Sequence, residues 1–419
     1  MTSRRGDPAT VFVRGLGTAE GLEWGVWLAL TVFWIVELDL SPGQLVLLGV
    51  ALEVAALISE TPTGVVADVY SRRRSVVLAQ LIMGIAFIWA FASTNFWVIL
   101  PAQALIGFGW TFRTGADTAW VTDELKGGSA VDDDEIERLL LRRHRWGIAL
   151  SLIVGPVTIA LGWWQSVRWV GIAIGIVYIL LGAWMAVAMT EEHFTPARDR
   201  DVGLLQTFQD GLNAIRVRPR LRVLVVVTFL FYLGADVFDR LGYVHFLDSA
   251  GLDDVSEGGE SLLVLGILFF LLALGGLLVN RVAEHYLGSG KGVVRLAVTL
   301  LVVATLGGLI AAATSLVVVI AIGYLFQDSV REALWPVLEG WANRDAPSEV
   351  RATVHSLLGQ MTSVGQISGA AVLGLVAEAS SIPLAMAIGA ACFGLAATVA
   401  VRGIAPDAGA SDGPAIVNT

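Results

Sequence analysis

The feature that most constrains this chain is a series of apolar stretches, each long enough to cross a lipid bilayer as a helix. A helix needs about 20 predominantly apolar residues to span the hydrocarbon core. Because lipid offers the backbone no hydrogen-bond partners, such stretches are expected to be helical. Twelve stretches meet this requirement, near residues 14–37, 44–67, 75–93, 95–120, 146–165, 168–189, 222–245, 261–281, 292–313, 315–339, 352–377 and 382–402.

The composition also indicates an integral membrane protein. Hydrophobic residues make up 56% of the chain and charged residues only 15%, whereas soluble domains carry about 25% charged residues. The single cysteine, Cys392, excludes an intrachain disulfide and a cysteine metal cluster. The first apolar stretch is too long for a signal-peptide core, so we expect it to be retained as a span. The predicted fold is all-α, in the lipid bilayer, with no affinity for nucleic acid.

Basic residues predict the orientation of the spans. All but four of the 27 Lys and Arg residues fall on the face that carries Arg72, Arg73 and Arg74. This bias marks that face as cytoplasmic. An even number of spans then places both termini in the cytoplasm. We expect a multi-pass protein of the cell membrane (inner or plasma membrane) that acts as a monomer.

A long polar segment divides the chain near its middle. We expect one six-helix bundle in residues 1–189 and a second in residues 222–404. The linker 190–221 is predicted to contain an amphipathic helix on the membrane surface, because its apolar residues recur at helical spacing. The tail 405–419 is small and polar, and we expect it to be disordered.

Sequence matches between the halves indicate an internal repeat. Gly64–Asp68 aligns with Gly276–Asn280, and Gly109–Arg113 aligns with Gly323–Gln327 at nearly the same offset. Two matches in corresponding spans predict two bundles related by a pseudo-two-fold axis along the membrane normal, with a cavity between them.

At these residues the chain resembles the major facilitator superfamily. The resemblance covers the whole twelve-span layout and rests on the hinge between the second and third spans, at Gly64, Asp68, Arg72 and Arg73. Val69 and Ser71 depart from the family's hinge pattern, Gly-x-x-x-Asp-Arg-x-Gly-Arg-Arg, in which these positions are Arg and Gly. Gly155-Pro156 in the fifth span is similar to the antiporter motif of exporters in this superfamily. The resemblance implies a fold like that of the drug:proton antiporters, with the first, fourth, seventh and tenth spans lining the cavity.

Ionisable residues within spans are candidates for proton coupling, because each costs a few kcal/mol to place in a membrane. The candidates in the first half are Glu23, Glu53, Arg113 and Asp117. Arg113 and Asp117 are one helical turn apart and are expected to pair. One interpretation is that this pair only holds helices together. The other is that a carboxylate gains and loses a proton as its contact with arginine breaks and forms.

The remaining candidates concern the substrate and the gates. Those for substrate binding are Asp236, Tyr232, Trp110, Phe326, Asp328 and Arg331. The gating candidates are Gly64, Asp68, Arg72 and Arg73 in the hinge, with Asp239 and Arg240 as a salt-bridged outer gate. The i, i+3 and i+4 spacings within Asp236–Arg240 and Asp328–Glu332 permit ion pairs within a helix or across the cavity.

The sequence contains no nucleotide-binding, catalytic or metal-binding motif. We therefore expect no enzyme activity and no cofactor, and transport driven by a gradient. The hypothesis is proton-coupled export of an amphipathic small molecule by alternating access. Two alternatives remain open: proton-coupled uptake of a metabolite, and a membrane sensor or scaffold of this fold that transports nothing.

Overall fold

The computed structural model describes residues 6–128, 133–195, 204–252, 258–288, 292–346 and 351–403. The regular structure within these ranges is helical throughout. The helices are α1 (Pro8–Glu37), α2 (Pro42–Val69), α3 (Arg72–Ala92), α4 (Phe96–Arg113), α5 (Ala116–Gly128), α6 (Asp133–Trp164), α7 (Val167–Ala188), α8 (Leu204–Val217), α9 (Pro219–Ala250), α10 (Gly258–Gly288), α11 (Val293–Ala312), α12 (Val317–Asp345), α13 (Arg351–Ala379) and α14 (Ile382–Val401).

Among the described helices, nine are long and apolar enough to cross a membrane by length and composition alone. The helices α4, α12 and α13 fall outside that group because they carry polar residues such as Gln103, Asp328 and Gln366. They nevertheless pack within the same bundles as the apolar spans. The polar spans are therefore tolerated because neighbouring helices shield them from lipid.

Short polar side chains fix where several helices begin. Ser41 and Gln44 form a capping box at the start of α2. The Ser71 hydroxyl accepts the Arg74 amide 3.0 Å away and starts α3 immediately after α2 ends. Asn95 accepts the Trp97 amide at 2.9 Å and starts α4. These caps keep the turns between successive spans short.

The fourth predicted span is divided into two helices. We expected one helix over 95–120, but α4 ends at Arg113 and α5 begins at Ala116. Gly115 lies between them with a φ of 74°, in the left-handed region that glycine adopts without steric cost. The break redirects α5 relative to α4.

The two halves have the same pattern of helix packing. In the first half α1 packs on α6 and α7, α3 packs on α4 and α7, and α2 packs on α4. In the second half α9 packs on α13 and α14, α11 packs on α12 and α14, and α10 packs on α12. This correspondence, span for span, confirms two six-helix bundles related by a pseudo-two-fold axis.

The residues that suggested the repeat are not structural equivalents. Gly109 lies near the end of α4, whereas Gly323 lies near the start of α12. Gly64 lies near the end of α2, whereas Gly276 lies well inside α10. Glycine and apolar residues are so frequent in these spans that short matches arise out of register.

The bundles contact each other through α2 with α13 and α9, and through α10 with α6 and α1. At the α2–α13 contact, a Cβ on Gly374 would lie 3.2 Å from the Val46 Cβ. That point is near the start of α2, opposite the hinge. Toward the hinge, the Cβ positions of Gly64 in α2 and Gly359 in α13 have no described atom within 4 Å. The bundles therefore touch opposite the hinge, whereas these two positions toward the hinge meet no described atom of the other bundle.

The linker contains the helix α8, which contacts α9 and α13. That this helix lies on the membrane surface stays a prediction. The predicted disordered tail, 405–419, lies outside the described residues.

Candidate transport site

A buried ion pair lies inside the first bundle. The Arg113 guanidinium at the end of α4 donates to the Glu23 carboxylate of α1, and their side chains are only 8% and 12% exposed. The Tyr178 hydroxyl of α7 lies 3.2 Å from the same carboxylate oxygen. Arg113 also lies over the Trp110 ring, 4.8 Å from its centroid. Glu23 is therefore neutralised by partners from its own bundle.

A second charged group lies nearer the hinge side. Arg143 of α6 donates to Asp117 at 2.7 Å and lies 3.4 Å from Glu20. His144 Nδ1 is 2.6 Å from the other Glu20 oxygen. The Thr118 amide donates to Asp117 at 2.6 Å. These contacts hold α1, α5 and α6 together.

The expected pair between Arg113 and Asp117 is wrong. Arg113 pairs with Glu23 and Asp117 pairs with Arg143. The physical reason is the break at Gly115, which ends the helix before the i, i+4 geometry is completed.

In the second bundle, Arg331 joins α12 to α9. It donates to Asp239 at 2.9 Å and lies 3.2 Å from Asp328, three residues earlier on its own helix. Asp239 and Arg240 thus do not form the outer gate as a pair with each other. Arg240 lies instead 3.5 Å from Asp236, as the i, i+4 spacing permits.

Arg240 also contacts the opposite bundle. A Cβ on Gly49 of α2 would lie 2.1 Å from Arg240 Nε, so only a glycine leaves room for the guanidinium there. Glu53, one turn further along α2, interacts electrostatically with Arg240 and lies near the Ser363 hydroxyl of α13. Asp236 is 2% exposed, and its Oδ2 has no hydrogen-bond partner among the described residues.

The aromatic candidates are divided between two locations. The Tyr232 ring packs edge-on against Trp335 of α12, with the centroids 6.3 Å apart. Phe326 packs instead beside Gly307 of α11 and is 52% exposed. Since α11 is not among the helices that join the two bundles, Phe326 does not lie with the other candidates. The direction of the Phe326 side chain on α12 turns it toward α11, and no local sequence pattern records that direction.

A cavity of about 190 Å³ lies between α1, α6 and α10. Its lining is almost entirely apolar and includes Trp24, Gly155, Pro156 and Phe269, with Ser151 as a polar exception. Trp24 directly follows Glu23 in the chain and packs edge-on against Phe269 at 6.5 Å. The helix α1 thus contributes Trp24 to the cavity and Glu23 to the buried pair with Arg113.

The hinge is fastened to its own bundle. Arg72 lies 2.9 Å from Asp68 and also pairs with Asp123 of α5. The Ser71 hydroxyl and the Arg73 amide, at 2.5 and 3.0 Å, both donate to Glu191. Asp68 thus has the neighbouring Arg72 as its partner.

Several site residues were missed from the sequence. They are Tyr178, Arg143, Trp335, Asp123 and Glu191. Tyr178 and Trp335 lie among other apolar residues and carry no local signal. Arg143 follows the acidic run at 132–135, and such a mixture of charges is typical of a solvated helix. Among the described residues, no group of three or more His, Cys, Asp or Glu side chains could hold a metal ion.

Two six-helix bundles with buried charges on their facing helices define a class of protein, the secondary transporters that work between pseudo-symmetric halves. Residues 144–370 match the sequence model of the Major Facilitator Superfamily. The chain belongs to this superfamily, and it is a membrane transporter rather than an enzyme.

Individual relatives are distant. The chain is 21% identical over 373 residues to an uncharacterized MFS-type transporter, YxaM, of Bacillus subtilis (strain 168), covering 86% of this chain and 87% of that protein. A mutant of the nucleoside transporter NupG superposes with a TM-score of 0.76 at 16% identity, covering 95% of this chain and 100% of NupG. An inward-facing, occupied bacterial homolog of the human lysosomal transporter Spinster gives a TM-score of 0.69 at 14% identity, covering 95% and 97%. At these identities the structural likeness concerns the fold alone.

Proposed function

We propose that this protein is a proton-coupled exporter of an amphipathic, cationic small molecule, working by alternating access between its two bundles. The observation that carries the proposal is an apolar cavity lined by α1, the helix that also carries the buried Glu23. Trp24 and Phe269 line that cavity, and Glu23 directly precedes Trp24. Apolar walls next to carboxylates suit a molecule that is greasy on one side and positively charged on the other.

Substrate contacts follow from the positions of the second-bundle residues. Tyr232 and Trp335 offer flat apolar faces, and Trp110 offers a third beside Arg113. Asp328 and Arg331 lie in α12 with Asp239 facing them. These groups would orient the charged part of the molecule.

Proton coupling is supported by carboxylates that have arginine partners. Glu23 and Asp117 pair with Arg113 and Arg143 inside the first bundle, whereas Glu53 meets Arg240 of the second bundle. A carboxylate whose arginine moves away binds a proton more readily. Glu53 is the strongest of the three candidates because its contacts cross the moving interface.

The orientation in the cell membrane is part of the same proposal. The hinge face carries the arginines of 72–74, so we place it and both termini in the cytoplasm. The state described above is then inward-open. We propose that a single chain suffices for transport, because both bundles belong to it.

Vesicle transport tests the direction and the coupling. Purified protein in proteoliposomes is given radiolabelled tetraphenylphosphonium or uridine. An antiporter accumulates its substrate when the lumen is acidic, and a symporter accumulates it when the exterior is acidic, whichever way the protein inserts. We expect tetraphenylphosphonium to accumulate with an acidic lumen, relative to protein-free vesicles.

Each alternative has its own outcome in this assay. Accumulation of uridine with an acidic exterior would support uptake by symport. Uridine is the probe for this alternative because the nucleoside transporter NupG has a similar fold. If neither probe moves, and trimming residues 190–220 removes a cellular phenotype that Glu23→Gln, Glu53→Gln and Asp117→Asn preserve, the sensor or scaffold hypothesis is favoured. If all three variants leave proton-driven transport intact, these carboxylates do not carry the proton.

A further inference from the structure

We propose that Asp236, Arg240 and Glu53 form one proton-binding site between the two bundles, and that closing the molecule opposite the hinge takes up one proton at this site. The inference rests on the proposed function in that it names the groups that bind the coupling proton. In this proposal the Asp236 carboxylate binds the proton, and the aromatic residues of α9 and α12 contact the substrate.

Asp236 is a buried carboxylate with an incomplete set of partners. It is 2% exposed, and Arg240 Nε lies 3.5 Å from its Oδ1. Its Oδ2 accepts no hydrogen bond from any described residue. Buried carboxylates that stay ionised normally have several donors. The Glu23 carboxylate, by contrast, accepts a hydrogen bond from the Arg113 guanidinium.

Arg240 is shared between the bundles. Its guanidinium packs on the backbone of α2 at Gly49, where a side chain of any other residue would collide with it. One turn further along α2, Glu53 interacts electrostatically with the same guanidinium. The Asp236–Arg240 contact lies within α9, whereas the packing of Arg240 on Gly49 exists only while α2 lies against the second bundle.

The charges within this site do not cancel. Two carboxylates and one guanidinium sum to one negative charge, and one proton makes the site neutral. Burying an uncompensated charge in a membrane interior is costly. Closure, which removes these groups from water, is therefore favoured when the site holds one proton.

Other charged groups around the site belong to α2, α9 and α12. Glu60 and Asp239 act on Glu53, and Asp239 is itself held by Arg331 beside Asp328. The helix α13 contributes the Ser363 hydroxyl. The helix α14 packs on α9 through residues such as Gly389 and Phe393. Arg331 compensates the charge of Asp239, and Glu60 is exposed to solvent. The number of protons that the site binds therefore depends on Asp236 and Glu53.

A distance measurement across the closed side tests the proposal without any substrate. Thr94, in the turn between α3 and α4, and Ser315, in the turn between α11 and α12, are both exposed opposite the hinge. Spin labels at T94C and S315C, in a C392A background in nanodiscs, report the separation of the bundles by double electron–electron resonance between about pH 5 and pH 9. This readout avoids the pH dependence of thiol cross-linking.

In the otherwise unaltered protein we expect a short distance at low pH and a growing population at a longer distance as the pH rises. In Asp236→Asn and in Glu53→Gln the site is neutral without a proton, so the short distance should persist across the whole range. Asp248→Asn removes a carboxylate from an exposed position on α9. In this control the distance between the spin labels should change with pH as it does in the parent. Size-exclusion chromatography identifies any variant that has lost its fold.

A parent protein whose distances do not change with pH would overturn the proposal. So would retention of the parent's pH shift in Glu53→Gln and Asp236→Asn. If the shift disappears in Asp117→Asn but persists in these two variants, coupling lies in the first bundle and this site is wrong while the proposed function stands. If the shift follows Asp236 and Glu53 but vesicle transport ignores the proton gradient, the site stands and the proposed function fails.

Discussion

At the scale of single residues, the Glu23–Arg113 pair makes a clear prediction about stability. Breaking a buried pair by removing one partner costs about 3–5 kcal/mol, because the other charge is left uncompensated. Arg113→Gln should therefore lower the thermal unfolding midpoint in detergent strongly. The double variant Glu23→Gln/Arg113→Gln should recover much of that loss, since no buried charge remains.

The measurement is a double-mutant cycle, which isolates the coupling between the two residues. A double variant no more stable than Arg113→Gln would contradict this account of the pair. Glu37→Gln is a matched control, because Glu37 accepts hydrogen bonds from Ser166 and Val167 near the helix ends and has no described arginine partner.

The same residues mark the limits of prediction from sequence. The pairs Asp236–Arg240 and Asp328–Arg331 follow from helical spacing alone, and the structure contains both. The true partner of Arg113 is 90 positions away in the chain, and only tertiary packing brings it near. The position of Phe326 beside α11 likewise depends on how α12 is rotated in its bundle, which no local pattern records.

At the scale of helices, the break between α4 and α5 depends on Gly115. Its φ of 74° would cost an alanine about 1–2 kcal/mol. Gly115→Ala should therefore destabilise the protein by about that amount and weaken the contact between Asp117 and Arg143. Gly155→Ala is the control, because Gly155 is helical with no described atom within 4 Å of its Cβ position, and alanine stabilises helix interiors by up to about 1 kcal/mol. Equal thermal shifts for the two variants would show that the break does not require glycine.

The hinge between α2 and α3 gives a prediction about rate. Asp68→Asn removes the charge that holds Arg72, which also pairs with α5. We expect turnover in vesicles to fall by about three- to tenfold, corresponding to roughly 0.6–1.4 kcal/mol in the barrier, with KM unchanged. Arg74→Gln alters charge in the same turn at an exposed position and should leave turnover near the parent value. Unchanged turnover in Asp68→Asn would remove the gating role from the hinge.

At the scale of the whole molecule, closure opposite the hinge can be locked covalently. The Val46 Cβ lies 3.2 Å from the position of a Cβ on Gly374, close to the 3.5–4.5 Å of disulfides. In a C392A background, V46C/G374C should cross-link the bundles and stop transport, and reduction should restore it. The pair Q80C/G182C, with a corresponding distance of 3.1 Å inside the first bundle, should cross-link without this effect. Transport that continues in the cross-linked V46C/G374C protein would show that this side need not open.

The global architecture was the part most accessible from sequence, for a physical reason. Bilayer thickness fixes the length of each span, so the spans were found without knowing any tertiary contact. The residue-by-residue alignment of the two halves could not be predicted in this way. Gly109 and Gly323 align in sequence but lie at different depths in α4 and α12. Hydrophobic length determines that a helix crosses the membrane, but not which of its residues meets which neighbour.

The separation of Glu23 and Arg113 along the chain also has a consequence for biosynthesis. At about 5–20 residues per second, the 90 positions between them mean that α1 is made about 5–20 s before the end of α4. During that interval the first span must remain in the insertion machinery or sit in lipid with Glu23 lacking its arginine partner. Arrival of α4 then supplies Arg113 and forms the pair, so Arg113 acts as an assembly signal for a helix that was made long before it.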